Sequence, residues 1–271
     1  MVSEFVNIAG YRFVSLPDRD ELRAPFQEEC KRLGLLGTIL LSKEGINFFL
    51  SAKQDAVDGF IKFLESDERF AGIKIKISYS NRPAFRKMYV RLKNEIISMG
   101  RPEIEPEHAT GATISPTEFK AWLDEGRDIT VLDTRNDYEI RLGSFSDAVD
   151  FNLSTFRGFP DAVESSTLDK EKPIVMFCTG GIRCEKASQL MINEGFADVR
   201  QLEGGVLGYF EEVGGEHWDG DCFVFDRRVA LNPELEETET IVCYACREPL
   251  SKDEQDDETY ILGVSCRYCS S

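Results

Sequence analysis

Histidine is nearly missing from this chain: there are two in 271 residues, His108 in a proline-bearing stretch and His217 beside Trp218. Neither sits in a ligand-like cluster, so no histidine–carboxylate iron site can be drawn, and no flavin or nicotinamide fingerprint is visible. No apolar run is long enough to cross a membrane. The opening MVSEFVNIAGYRF lacks the basic segment and continuous apolar stretch of a signal peptide. Low-complexity tracts and internal repeats are also absent. A surplus of basic residues is missing too, and the formal charge of −17 argues against nonspecific nucleic-acid binding. Eight cysteines are sparse for a secreted disulfide framework of this length, and four of them form two C-x-x-C pairs near the end. The chain therefore reads as cytoplasmic, in a reducing compartment.

What is present suffices for two ordinary domains, since 42% hydrophobic residues over 271 positions can fill two cores. The charge is uneven. Residues 1–105 carry 17 Lys+Arg against 15 Asp+Glu, a net of +2; the remainder carries 15 against 34, a net of −19. Along the first part, Val6–Leu16 mixes apolar and polar residues as a half-buried strand does, and Asp18 or Asp20 caps a helix running through Leu33 to Gly34. Thr38–Leu41 and Ile46–Leu50 form a hairpin around Glu44-Gly45. Ala56–Leu64 has one apolar helical face, and Ile73, Ile75 and Ile77 alternate as a strand. The order βαββαβ is the split, ferredoxin-like (acylphosphatase-like) unit, an α+β fold expected over residues 1–101. Within 74–101, eight bases face the single acid Glu95. Lys76, Arg82, Arg86, Lys87 and Arg91 interleave with Phe85, Met88, Tyr89 and Val90, as where cations meet phosphates and an aromatic stacks on an unpaired base. A solvated sheet edge guarded by lysines is the plainer alternative.

Residues 102–111, with Pro102 and Pro106, read as a linker. A second domain, 112–217, opens on Ser115-Pro116-Thr117-Glu118, which fits a capping box with proline at the first helical position. Candidate strands Ile129–Leu132, Asp147–Asn152, Ile174–Phe177 and Val199–Leu202 alternate with helical segments, the pattern of an open parallel α/β sheet whose ligands bind beyond the strand C-termini. At that edge lies Cys178. It ends an apolar, β-branched strand and opens a turn containing Gly180 and Gly181; Ala187, Leu190 and Met191 follow at helical spacing. Free backbone N–H groups at such a turn favour an anion. A free cysteine with pKa near ~8.5 is about 3% ionised at neutral pH, whereas helix N-termini and arginines such as Arg183 bring the value to roughly 3.5–7.5. Cys178 is therefore expected to be a reactive nucleophile, the alternative being a buried structural cysteine. Cys184 suits either a resolving thiol or helix packing, with packing preferred, and Cys30 and Cys222 read as apolar fillers.

The C-terminal segment, 218–271, holds Cys243-Tyr-Ala-Cys246 and Cys266-Arg-Tyr-Cys269, 19 residues apart. That spacing suits four-cysteine zinc, each pair gripping one edge of a tetrahedron; two redox pairs or unmetallated thiols are the other readings. Two residues follow Cys269, a short flank that suits a shortened chain.

CTGGIR after a buried strand resembles the active-site loop of rhodanese (sulfurtransferase) domains, whose cysteine carries sulfur as a persulfide cradled by loop amides. The loop here is Cys178, Thr179, Gly180, Gly181, Ile182 and Arg183. Its length is the sulfurtransferase one, while related dual-specificity phosphatases and arsenate reductases use a longer loop around a larger oxyanion; the resemblance favours sulfur over phosphate. Asp133-Thr134-Arg135, with Tyr138, Glu139 and Gly143 beyond, resembles the rhodanese D-x-R element, whose pair buttresses the loop. Gly204-Gly205 matches the glycine pair after the last rhodanese strand.

Across nearly all of the chain, KEGINFFLSA (43–52), FRKMYVRLKNEIISMG (85–100), CTGGIRCEKAS (178–188), DGDCFVFDRRVAL (219–231) and the two C-x-x-C pairs resemble the rhodanese-domain tRNA uridine hydroxylases. INFFLSA departs from them, where a more glycine-rich, less aromatic hairpin is expected. The resemblance implies 5-hydroxylation of the wobble uridine in tRNA, with molecular oxygen as co-substrate. On this reading the first domain holds an anticodon stem-loop, and Cys178, as thiolate or persulfide, takes part near the uridine. The alternatives are a rhodanese-type sulfurtransferase acting on a small thiol or protein acceptor, and a binding adaptor.

Overall fold

Among the described residues before Thr110 there are five strands and two helices. They are β1 (Phe5–Phe13), α1 (Arg19–Leu33), β2 (Leu36–Ser42), β3 (Gly45–Ala52), α2 (Gln54–Glu65), β4 (Lys76–Ser80) and β5 (Met88–Leu92). In this computed structural model, described over residues 4–270, the chain divides into two units between Thr110 and Gly111. The first sheet has the order β4-β1-β3-β2-β5. Its first four strands are antiparallel neighbours in the expected βαββαβ arrangement, and β5 adds to the free edge of β2 in parallel.

That fifth strand is absent from the expectation above. Met88–Leu92 does alternate, with Val90 buried at 3% and Tyr89 and Arg91 exposed, but the density of cations hides the alternation. Other bounds shift as well. The first strand ends at Phe13, and the strand expected from Ile73 begins at Lys76. Asp18 occupies the N-cap of α1 without a side-chain cap bond and instead pairs with Arg69 Nη1 at 2.6 Å. The segment read as a linker buries Ile104, like Met99 before it, and lies with the first unit as far as Thr110.

The departure at INFFLSA has a packing explanation. Phe48 is fully buried, edge-to-face with Phe60 at 5.6 Å, and faces Gly10 across the β1–β3 register. A Cβ on Gly10 would lie 2.6 Å from Phe48 Cζ. The glycine across the strand thus makes room for the aromatic ring, whose burial stabilises the unit by about 1.5–3 kcal/mol.

The second unit is built on a five-stranded parallel sheet: β6 (Ala112–Ile114), β7 (Thr130–Asp133), β9 (Val149–Asp150), β10 (Ile174–Phe177) and β11 (Val199–Leu202), in the order β6-β11-β10-β7-β9. Around it run α3 (Pro116–Asp124), α4 (Asp137–Ile140), α5 (Phe159–Ser165), α6 (Ile182–Asn193) and α7 (Gly205–Val213). Ser115 accepts from Glu118 N at 3.1 Å, the forward half of the capping box. The strand expected over Asp147–Asn152 shrinks to two residues, because Asp147 (φ 61°) and Asn152 (φ 50°) turn left-handed on either side. All four residues of β10 are fully buried at the centre of the sheet, which explains their continuous apolar run.

Short antiparallel pairs complete this unit. They join β8 (Gly143–Phe145) to β12 (Trp218–Gly220), β13 (Cys222–Phe223) to β14 (Ala230–Leu231), and β15 (Ile241–Val242) to β16 (Pro249–Leu250), with α8 (Lys252–Gln255) after them. Among the described residues no helix is long and apolar enough to cross a membrane.

Candidate active site

The end of β10 delivers Cys178 to the sheet's C-terminal edge, and α6 begins four residues later. Gly181, at φ 101°, turns its amide back to Cys178 Sγ, donating at 3.1 Å. Cys178 is 2% exposed. Burial alone pushes its thiol up. The Cys184 thiol donating to it, the Arg183 charge and the loop amides of Arg183 and Gly180 outweigh burial and bring it down to about 6. Cys184 moves the opposite way, well above the ordinary thiol range, through burial and the neighbouring sulfur. The two thiols are thus pushed in opposite directions, an arrangement that suits Cys178 as thiolate with Cys184 beside it as donor. Packing, the reading preferred from sequence, is only part of what Cys184 does.

The loop is held from three sides. Gly205, at φ +63°, lies so close that a Cβ there would come within 2.3 Å of Cys178 O. This approach lets Val206 N and Leu207 N, at the start of α7, donate to Cys178 O and Thr179 O at 3.0 and 3.1 Å. From the second side comes the D-T-R element. Asp133 and Arg135 form a fully buried bidentate pair, with Arg135 Nη2 at 2.6 Å from Asp133 Oδ2. Arg135 also donates to Gly143 O, and Ser144 Oγ donates to Asp133, so the pair fixes β8. Thr134 between them makes the direct contact with the loop: its N and Oγ1 donate to Phe177 O at 3.0 and 2.9 Å, and Oγ1 lies 3.8 Å from Cys184 Sγ.

The third support is Glu139, fully buried on α4 and 2.8 Å from Arg183 Nη2. It also accepts from Asn136 N at 3.1 Å, the return half of a capping box. Removing one partner of such a buried pair costs about 3–5 kcal/mol, because the other is left charged and unpaired. The N-x-x-E signature of Asn136–Glu139 was available in the sequence; what it could not show is that the carboxylate reaches Arg183 across the fold. Cys222, read as filler, is fully buried, and its thiol is pushed up to about 12, chiefly by burial. Its neighbour Phe223 accepts from Thr179 Oγ1 at 3.4 Å. The β13 segment therefore flanks the loop, a placement signalled only by the run CFVF.

The predicted RNA residues are only partly gathered. Arg86 and Lys87 lead into β5, where Arg91 stacks its guanidinium 4.6 Å from the Tyr89 ring centroid. Lys76 lies on β4 at the opposite edge of the sheet, and Arg82 is in the crossing segment just after it.

In the tail, Cys243, Cys246, Cys266 and Cys269 bring their sulfurs within 4.8 Å of one another, all as free thiols. A tetrahedron with metal–sulfur bonds of about 2.3 Å sets sulfurs about 3.8 Å apart. Cys246–Cys266 and Cys266–Cys269 measure 3.6 and 3.8 Å, so this donor set fits zinc. The tail is tied down by Arg141, which pairs with Glu248 and stacks 4.3 Å from the Tyr268 ring.

Comparison with known proteins places these features in context. Residues 5–96 match the model of a UPF0176 acylphosphatase like domain, and residues 115–212 that of a rhodanese-like domain. A tRNA uridine(34) hydroxylase of Cupriavidus pinatubonensis is 48% identical over 98% of this chain and 96% of its own length. One of Burkholderia vietnamiensis is 46% identical over 98% and 97%. A rhodanese-like domain solved from Anabaena aligns with 40% of this chain and 78% of its own at 24% identity and a TM-score of 0.34.

Proposed function

The chain belongs to the tRNA uridine(34) hydroxylase family, and from that premise we propose that it hydroxylates C5 of the wobble uridine of tRNA, with molecular oxygen as co-substrate and Cys178 as the reactive group. The observation that carries this reading is the arrangement at Cys178: a buried sulfur receiving the Gly181 amide at 3.1 Å, with Arg183 and Cys184 alongside to bring its thiol down to about 6. At neutral pH it is predominantly a thiolate, a soft nucleophile ready to engage a base or to carry a second sulfur. Because Cys178 is 2% exposed, its substrate must extend a small group toward it. An unpaired anticodon base, splayed out of its loop, is such a group.

In this reading the first unit holds the anticodon stem-loop through Arg86, Lys87 and Arg91, with Tyr89 as a stacking surface; Lys76 and Arg82 contribute from the other side of the sheet. The activity is proposed to be cytoplasmic, because a tRNA substrate would be met there. Zinc on Cys243, Cys246, Cys266 and Cys269 would supply structural order to a tail whose buried apolar cluster contains little beyond these cysteines and Leu250. The sulfurtransferase reading predicts a different product. Mass spectrometry of tRNA nucleosides from a strain lacking the protein separates the two: loss of 5-hydroxyuridine and its derivatives supports the hydroxylase, whereas loss of a thiolated nucleoside supports sulfur transfer.

A further inference from the structure

Next to the Cys178 loop an aromatic ring stands in solvent at a position the fold takes trouble to fix. Phe225 is 45% exposed, in the turn between β13 and β14. That turn is rigid. Val224 N donates to Val229 O at 2.8 Å, and Asp226 and Arg228 form an ion pair of 2.6 Å with side chains 7% and 6% exposed. Phe223 packs edge-to-face on Phe225 at 5.1 Å and on Tyr138 at 5.4 Å, and its carbonyl is tied to Thr179 of the loop. The Arg183 guanidinium carbon sits 5.5 Å from the Phe225 ring centroid.

Arg183 supplies the second observation. It is 5% exposed, and while Nη2 is taken by Glu139, its Nη1 is buried with no hydrogen-bond partner. A buried donor left unpaired is costly, so such a group points to a ligand acceptor. An aromatic face and an unpaired cationic donor beside a reactive sulfur suit a planar heterocycle with a carbonyl edge.

We propose that Phe225 and Arg183 together seat the target pyrimidine, its ring stacked on Phe225 and its O4 accepting from Arg183 Nη1. This rests on the uridine hydroxylase reading. C5, the carbon to be hydroxylated, is bonded to C4, so turning C5 toward Cys178 brings O4, rather than O2 across the ring, to the arginine beside that sulfur. Arginine only donates. Uracil offers a carbonyl at position 4, whereas cytosine offers an amino group that would meet the guanidinium donor to donor. Stacking on Phe225 holds any base; Arg183 selects uridine over cytidine.

The test uses the full chain and anticodon stem-loops carrying uridine, cytidine or 5-bromouridine at position 34. Phe225→Leu is expected to weaken binding of the uridine stem-loop on the order of tenfold, with Phe225→Tyr close to wild type and Cys178 alkylation unchanged in both. Wild type should bind the uridine stem-loop more tightly than the cytidine one. Irradiation of the bromouridine complex should attach the base to the peptide carrying Cys178, which C5 faces, or to the one carrying Phe225. Equal binding by wild type and Phe225→Leu, no preference for uridine, or attachment only elsewhere overturns the seat. Loss of Cys178 alkylation in Phe225→Leu also overturns it, by showing a structural role. If tRNA from a strain lacking the protein keeps its hydroxyuridine, the hydroxylase reading fails instead, independently of where the base attaches.

Discussion

Replacing Cys184 by alanine should disarm Cys178 without touching it. The Cys184 thiol is fully buried, oriented by Thr134 Oγ1 at 3.8 Å and by its own amide on Gly181 O at 3.0 Å. Among the influences that lower the Cys178 thiol it ranks ahead of Arg183. A hydrogen bond to a charged group contributes about 1.5–3 kcal/mol, and one pKa unit corresponds to about 1.36 kcal/mol, so its loss should raise the Cys178 midpoint by roughly one to two units. The sign follows from the thiolate being the deprotonated form. Wild-type Cys178 is expected to react above about pH 6, and in the alanine variant the window of reactivity should move to higher pH. At pH 7 the thiolate fraction would drop from about 90% to roughly 10–50%. The assay is the iodoacetamide rate of the Cys178 peptide, followed by mass spectrometry across pH. Cys184→Ser, which keeps a donor, should hold the midpoint nearer to wild type. An unchanged midpoint in Cys184→Ala would refute the argument that one thiol activates the other.

Gly205→Ala places a Cβ 2.3 Å from Cys178 O at φ +63°; left-handed strain of about 1–2 kcal/mol and the clash together should lower the thermal midpoint and slow Cys178 alkylation, and wild-type values for both would refute the close approach. Arg86→Glu with Lys87→Glu should weaken tRNA binding and flatten its salt dependence by a slope of at least about 1.4, and unchanged affinity at moderate salt would reject that face. Purified protein should hold one zinc per chain, with Cys266→Ser losing it and the tail becoming protease-sensitive. A metal-free wild-type protein with an equally resistant tail would reject the site.

Much of the site was legible because its chemistry is local in sequence. Strand, cysteine, glycines and arginine lie within Ile174–Arg183, and the strand bounds Ile174–Phe177 and Val199–Leu202 are those observed. What sequence hid was contact across distance. Glu139 lies 44 positions before Arg183 and Phe225 42 positions after it, so no spacing rule joins them to the loop. Cys184 illustrates a different gap: its burial suits a packing residue, and only its place beside the Cys178 sulfur lets it lower that thiol. In the first unit the cations were read as one surface, but the strand order sends Lys76 and Arg91 to opposite edges. Phe48 departs from the family pattern, and its partner Gly10, distant in sequence, makes room for it across the sheet.

The central claim is that the Cys178 sulfur takes part in uridine hydroxylation. Its most direct test is the hydroxyuridine content of tRNA from a strain lacking the protein and supplied with either wild type or Cys178→Ser at equal abundance. The account predicts restoration by wild type and none by Cys178→Ser, whose hydroxyl stays protonated at neutral pH. Full restoration by the serine variant would contradict it.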